Sequence, residues 1–130
     1  MTTDSPLLDI DAVTVPVDDL DSGLRFYRDA LGHTVLWRND VIGQAGLRVG
    51  SGNAEIVLTT RQRYEPNWLV SSIDTCIARF VAHGGRVVEE AAEIPVGRVA
   101  VVEDPFGNPL VIVELSKGSY QPDGTVVPMA

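Results

Sequence analysis

The sequence predicts an α+β protein of two βαβββ modules, whose curved mixed sheets enclose a cavity. Three observations predict it. The order strand, helix, three strands occurs twice in the 130 residues, and the copies share residues at a nearly fixed offset. Leu24-Arg25-Phe26 faces Ala78-Arg79-Phe80, and Gly32-His33-Thr34-Val35 faces Gly85-Arg86-Val87-Val88, 54 and 53 positions on. Each copy has about 55 residues, a size that rarely buries enough surface alone. A sheet with one face under a helix leaves edges and a face to cover, so two copies are expected to pair.

In the first module, 9–60, Asp9 to Val17 alternates as a strand, with Val13, Val15 and Val17 on one face and Ala12, Thr14 and Pro16 on the other. Asp19 is the expected N-cap of a helix carrying Leu20, Leu24, Tyr27 and Leu31 at helical spacing, and Gly32 is its stop. Three strands follow at Thr34 to Arg38, Val41 to Val49 and Ala54 to Thr60, separated by Asn39-Asp40 and by Gly50-Ser51-Gly52-Asn53. Residues 61–66 read as a linker.

The second module, 67–115, opens with a short strand at Trp68 to Ser71 and a helix capped by Asp74, with the stripe Ile73, Ile77, Phe80 and Val81 and a stop at Gly84-Gly85. Its strands are Arg86 to Glu90, Gly97 to Glu103 and Pro109 to Leu115, the last two joined by the turn Asp104-Pro105-Phe106-Gly107-Asn108. Residues 116–130 read as an irregular tail.

Composition narrows the function classes. A formal charge of −8 argues against a nucleic-acid surface, whose phosphates demand basic residues. The longest apolar runs, Val99 to Val102 and Leu110 to Val113, fall far short of the roughly 20 residues of a membrane helix. No export signal is visible at the N-terminus, and a cytoplasmic location is expected. The single cysteine, Cys76, excludes an intrachain disulfide or multi-cysteine metal site and lies on the helix's apolar stripe.

Val17-Asp18-Asp19-Leu20, Phe26-Tyr27-Arg28-Asp29-Ala30-Leu31-Gly32 and Asp104-Pro105-Phe106-Gly107-Asn108-Pro109 resemble the glyoxalase/bleomycin resistance/extradiol dioxygenase superfamily, the vicinal oxygen chelate proteins, over about residues 9 to 115. These segments build a helix with its stop and a tight turn, so they speak for the fold and leave the activity open. Enzymes of that superfamily hold a divalent metal on His and Glu from the first and last strands of each module. The resemblance puts those positions at Ala12, Val57, Trp68 and Val111, none of which ligates a metal. His33 and His83 flank the helix stops, where capping or surface roles are expected. No metal and no cofactor are therefore expected.

With those positions filled by Ala, Val, Trp and Val, the predicted cavity is apolar. Trp37 and Trp68 offer flat faces for stacking a planar or cationic ligand. Glu55 shares a face with Val57 and Thr59 and is the candidate carboxylate, as cation partner or proton acceptor, while Glu114 points with Leu110 and Ile112 away from the cavity. The expected ligand-binding residues are Thr14, Trp37, Arg48, Glu55, Val57, Trp68, Val111 and Val113. Arg48 lies between Leu47 and Val49, which are expected on the buried face.

The residues favour sequestration of an aromatic or cationic, antibiotic-like small molecule, as in the drug-binding branch of the superfamily. The alternative is a cofactor-independent cyclase or isomerase with Glu55 as general base, ahead of a metal-dependent lyase or dioxygenase. The resemblance also implies a homodimer. Neither nucleic acid nor membrane is expected as a partner.

Overall fold

The computed structural model describes residues 5–128, which fall into two compact units. The first holds residues 11–66 with 120–127, and the second holds 67–119 with the described residues up to Ile10 and Pro128.

In the first unit β1 (Asp9–Pro16) leads to α1 (Leu20–Leu24), then β2 (Val35–Asn39), β3 (Gln44–Arg48) and β4 (Glu55–Thr59), in the sheet order β2-β3-β4-β1. β1 runs parallel to β4 with Ala12 beside Glu55 and Thr14 beside Val57, whereas β3 is antiparallel to both its neighbours. Asp19 caps α1 as predicted, its carboxylate accepting the Ser22 N–H at 2.7 Å. One face of the sheet packs under this helix, where Leu20, Leu24, Ala45, Leu47 and Leu58 are buried with Val15, Val17 and Tyr27 against them. Burying each of these leucines contributes about 1.5–3 kcal/mol.

Leu31 departs from the predicted stripe and is exposed. After Leu24 the helix widens into a π-helical stretch, Arg25–Ala30, with Leu31 N–H bonded to the Phe26 carbonyl at 3.0 Å. A wider turn rotates less per residue, so the side chain at 31 falls behind the face set by Leu20 and Leu24. Val41 and Val49 also differ from expectation, since both are exposed and β3 starts only at Gln44.

The second unit repeats the plan with β5 (Glu65–Leu69), whose first two residues still belong to the first unit, then α2 (Ile73–Ala82), β6 (Arg86–Ile94), β7 (Gly97–Glu103) and β8 (Pro109–Glu114), in the order β5-β8-β7-β6. β5 takes up Glu65 and Pro66, the last two residues of the predicted linker. The N-cap of α2 is Ser72, two residues before the predicted Asp74, and its hydroxyl accepts the Thr75 N–H at 3.2 Å. Glu114 takes the Ile73 N–H at 3.0 Å, so this carboxylate serves the helix start on the helix-covered face, where alternation put it. Val70, Ile73, Cys76, Ala100, Val102 and Ile112 form the core beneath α2.

The turn before β8 is built on Asp104. Its carboxylate accepts from the Asn108 side chain and from the Phe106 and Asn108 backbone amides at 2.8–2.9 Å, bonds that hold its pKa below the ordinary aspartate value. The tail is not irregular as predicted. β9 (Gly118–Tyr120) and β10 (Val126–Pro128) form a hairpin around the segment Gln121 to Thr125. Among the described residues no helix is long and apolar enough to cross a membrane.

Candidate functional site

The side chains singled out in the first module divide by face. Ile56 and Leu58 of β4 go under α1, which leaves Glu55, Val57 and Thr59 on the face away from the helix. Ala12 and Thr14 join them from β1 by the parallel register. On this helix-distal face Ala12, Trp37 and Val57 form a small buried cluster, with Leu36, Ile42 and Tyr120 packed against it.

Plain alternation would send Trp37 to the same side as Val35, which packs under α1. A β-bulge prevents this: Val35 pairs with Leu47 but Trp37 pairs with Gly46, so two residues of β2 advance against one of β3. Trp37 thereby turns to the helix-distal face and is only 5% exposed. Gly46 makes the space it needs, because a Cβ there would run into the indole nitrogen and the Glu55 carboxylate. Next along the strand, Arg38 leaves on the helix side and pairs with Asp21 at 3.0 Å and Asp40 at 2.6 Å, tying β2 to α1.

Glu55 is an acidic side chain bonded to this apolar cluster. Its Oε1 accepts the Trp37 Nε1–H at 2.7 Å. Burial pushes its pKa above the ordinary glutamate value and the nearby Asp11 charge adds to the push, while the indole hydrogen bond opposes it by favouring the charged form. A carboxylate with its pKa raised in this way is a stronger proton acceptor than a solvated one.

The other predicted site residues are placed differently. Thr14 is buried with its hydroxyl within 2.6 Å of the Arg63 carbonyl and 3.1 Å of the Glu65 carbonyl, so it staples the segment after β4. Arg48 stands across from Glu55 in the β3–β4 register but is exposed. In the second unit Val111 and Val113 lie on the helix-distal face, as alternation predicts, because Leu110 and Ile112 go under α2.

Trp68 corrects the prediction. β5 pairs with β8 as Asn67 to Val111, Trp68 to Ile112 and Leu69 to Val113, so Trp68 shares the face of Ile112 and packs against the α2 core. The residue beside Val111 is Asn67. The register with β8 decides this: Asn67, not Trp68, is the partner of Val111, so the strand stands one residue off the alignment that would turn Trp68 away from α2.

A second correction concerns Trp37. Its ring face is taken by the chain's own Tyr120, with ring centroids 4.5 Å apart and planes 21° from parallel. Tyr120 arrives on the C-terminal hairpin, and burial raises its phenol pKa. The signal for this hairpin was present in Pro122-Asp123-Gly124-Thr125, an Asp-Gly turn composition between short strand-forming segments.

The second unit offers a groove of about 430 Å³ at the ends of β5 and β8, lined by Leu8, Leu69, Val70, Glu114 and Leu115 among others. Its one ionisable group, Glu114, already serves Ile73. The chemistry therefore concentrates on the first unit.

The donor sets do not fit a metal. The helix-distal positions in question carry Ala12 and Val57 in the first unit and Asn67 and Val111 in the second, and a single amide oxygen is a poor substitute for His and carboxylate ligands. Among the described residues no group of three or more His, Cys, Asp or Glu side chains is placed to hold an ion.

Solved structures with the same architecture include methylmalonyl-CoA epimerase from Mycobacterium tuberculosis, 26% identical, with a TM-score of 0.68 over 88% of this chain and 92% of that one. A single-residue variant of the Streptomyces coelicolor methylmalonyl-CoA epimerase, in complex with 2-nitronate-propionyl-CoA, is 20% identical with a TM-score of 0.64 over 94% and 99% of the two chains. A hypothetical protein from Bacillus halodurans C-125 is 17% identical with a TM-score of 0.67, covering 87% and 98%. No protein with a curated description matches the sequence. The family model for the Glyoxalase/Bleomycin resistance protein/Dioxygenase superfamily matches residues 9–112, both βαβββ repeats, and the chain belongs to that superfamily.

Proposed function

We propose that this chain binds a small organic molecule on the helix-distal face of its first unit, without a resident metal, and sequesters it there. The observation that carries the reading is Glu55, a half-buried carboxyl bonded to Trp37 beside Ala12 and Val57. An apolar, aromatic surface with one carboxyl selects planar ligands that bear an amine or another cationic or donor group. Burying roughly 100 Å² of such a ligand face contributes about 2.5 kcal/mol, so one face and one charged hydrogen bond give weak binding and two faces bring it toward micromolar. The superfamily's bleomycin resistance members are named for tolerance of a drug, which agrees with sequestration.

A second reading, isomerisation by proton transfer at Glu55, is favoured by the raised pKa of this carboxyl and by the 26% identity to the mycobacterial epimerase. A thermal-shift screen of planar aromatic amines, followed by mass spectrometry of the recovered ligand, separates the two. Sequestration requires a raised melting temperature and a ligand recovered unchanged. Turnover, or deuterium taken up by the ligand from D2O and lost in Glu55→Gln, moves the assignment to the isomerase.

A further inference from the structure

We infer that the C-terminal hairpin is a displaceable occupant of this face: Tyr120 holds the place on Trp37 that a planar aromatic ligand takes, so that binding proceeds by exchange. The inference rests on the reading of this face as a ligand site and names what controls access to it. A phenol ring stacked 4.5 Å from an indole, with the same indole bonded at its edge to a carboxyl, is the arrangement that an aromatic ligand with a polar substituent would adopt.

The hydrogen bonds of the hairpin sort by length. Within it, Gln121 N–H meets the Thr125 carbonyl at 2.7 Å, Gly124 N–H meets the Gln121 carbonyl at 2.8 Å, and the Asp123 carboxylate accepts from the Thr125 hydroxyl at 2.6 Å. Those that dock it on β2 are long. Arg38 N–H reaches the Pro122 carbonyl at 3.3 Å, and the Asn39 side-chain amide reaches the Gly124 carbonyl at 3.4 Å. A segment closed on itself by short bonds and attached by long ones leaves as a unit. Gly118 opens β9 at its start with a φ of 156°.

The docking is also specific, which a passive tail would not need. Gly124 lies against β2 so closely that a Cβ would strike the Arg38 carbonyl oxygen and come within 2.9 Å of the Asn39 Cβ, and its φ of 85° favours glycine in any case. The hairpin thus covers Trp37 by fit, and the ring it lends has ligand-like chemistry.

The test uses the full chain as wild type, Tyr120→Ala and Gly124→Ala, with proflavine, a planar cationic diamine, as probe. Tyr120→Ala removes the competing ring, and Gly124→Ala loosens the docking while keeping that ring, so the two variants report independently. If the hairpin is closed in about nine molecules of ten, both variants bind proflavine about tenfold more tightly than wild type. Hydrogen exchange of the amides in residues 118–128 must also be faster than in β4 and must speed up further when wild type is saturated with the dye, since a ligand that binds the open form favours opening. Equal affinity in all three proteins, weaker binding in the variants, or hairpin exchange slowed by the dye overturns the inference alone. Binding to none of the three proteins, with their circular dichroism unchanged, overturns the reading of the face as a ligand site and the inference with it.

Discussion

Glu55 and Gly46 are cross-strand neighbours in function though not in register, and each has a measurable signature. Because the folded protein raises the Glu55 pKa, it holds a proton at pH values where the unfolded chain has released one. Stability therefore falls as pH rises through the window between the ordinary glutamate value and the raised one. Glu55→Gln keeps an acceptor for the Trp37 indole and removes the titration, so its urea midpoint should gain on wild type as pH rises through that window. Parallel pH curves for the two proteins would show that burial does not perturb this carboxyl. At Gly46 the added methyl of alanine must push the indole and the carboxylate aside, a cost of about 1–3 kcal/mol by overpacking, readable as a lower unfolding midpoint with altered tryptophan emission. Glu55 was legible in the sequence because strict alternation with Ile56 and Leu58 leaves it one face. Gly46 was not, because the need for a missing side chain exists only once the partner strand's ring is in place.

Among the elements, β4 and β8 could be read because each alternates without interruption, whereas β2 and β5 could not. A bulge in β2 and the register of β5 on β8 each move a side chain to the other face by one residue, and hydrophobic pattern alone does not fix either. The consequence for Trp68 is testable: Trp68→Ala should cost about 2–4 kcal/mol in stability by opening the α2 core, and leave proflavine affinity as in wild type. A fall in affinity at unchanged stability would return Trp68 to the ligand face. The start of α2 provides a second comparison. Ser72→Ala should lower stability by about 1 kcal/mol through loss of the cap, while Asp74→Ala, at an exposed residue paired with Arg98 at 3.5 Å, should stay within about 0.5 kcal/mol. Equal losses would mean that the helix dipole, not the cap, governs this end. The C-terminal hairpin is marked in the sequence only by its Asp123-Gly124 turn, because Gly, Pro and Asp are enriched both in turns and in disordered tails, and the docking partner on β2 decides between them.

For the molecule as a whole, the repeat was the most legible feature, since a strand, helix, three-strand order recurring at one offset survives even where residue identity is low. Ala12, Val57 and Val111 on the helix-distal faces carry no donor atom for an ion, and Asn67 carries a single amide oxygen. Protein dialysed against chelator and titrated with Mn²⁺, Co²⁺, Ni²⁺ or Zn²⁺ should give no saturable one-per-chain heat and no rise in melting temperature. A saturating rise of several degrees with any of these ions would sink the metal-free reading. The net charge of −8 adds no ligand site of its own, but it sets a field in which a cationic ligand approaches favourably and an anionic one does not.

The inserted residue in β2 and the absent side chain at Gly46 form a single linked trait. One strand contributes Leu36 and Trp37 where a regular ladder would contribute one residue, and its neighbour contributes no side chain at all, so surplus volume and vacancy cancel. Evolution cannot easily change one without the other. A relative that fills the position of Gly46 should carry a small residue in place of Trp37, and would then have lost both the anchor for its carboxyl and the platform its own tail rests on.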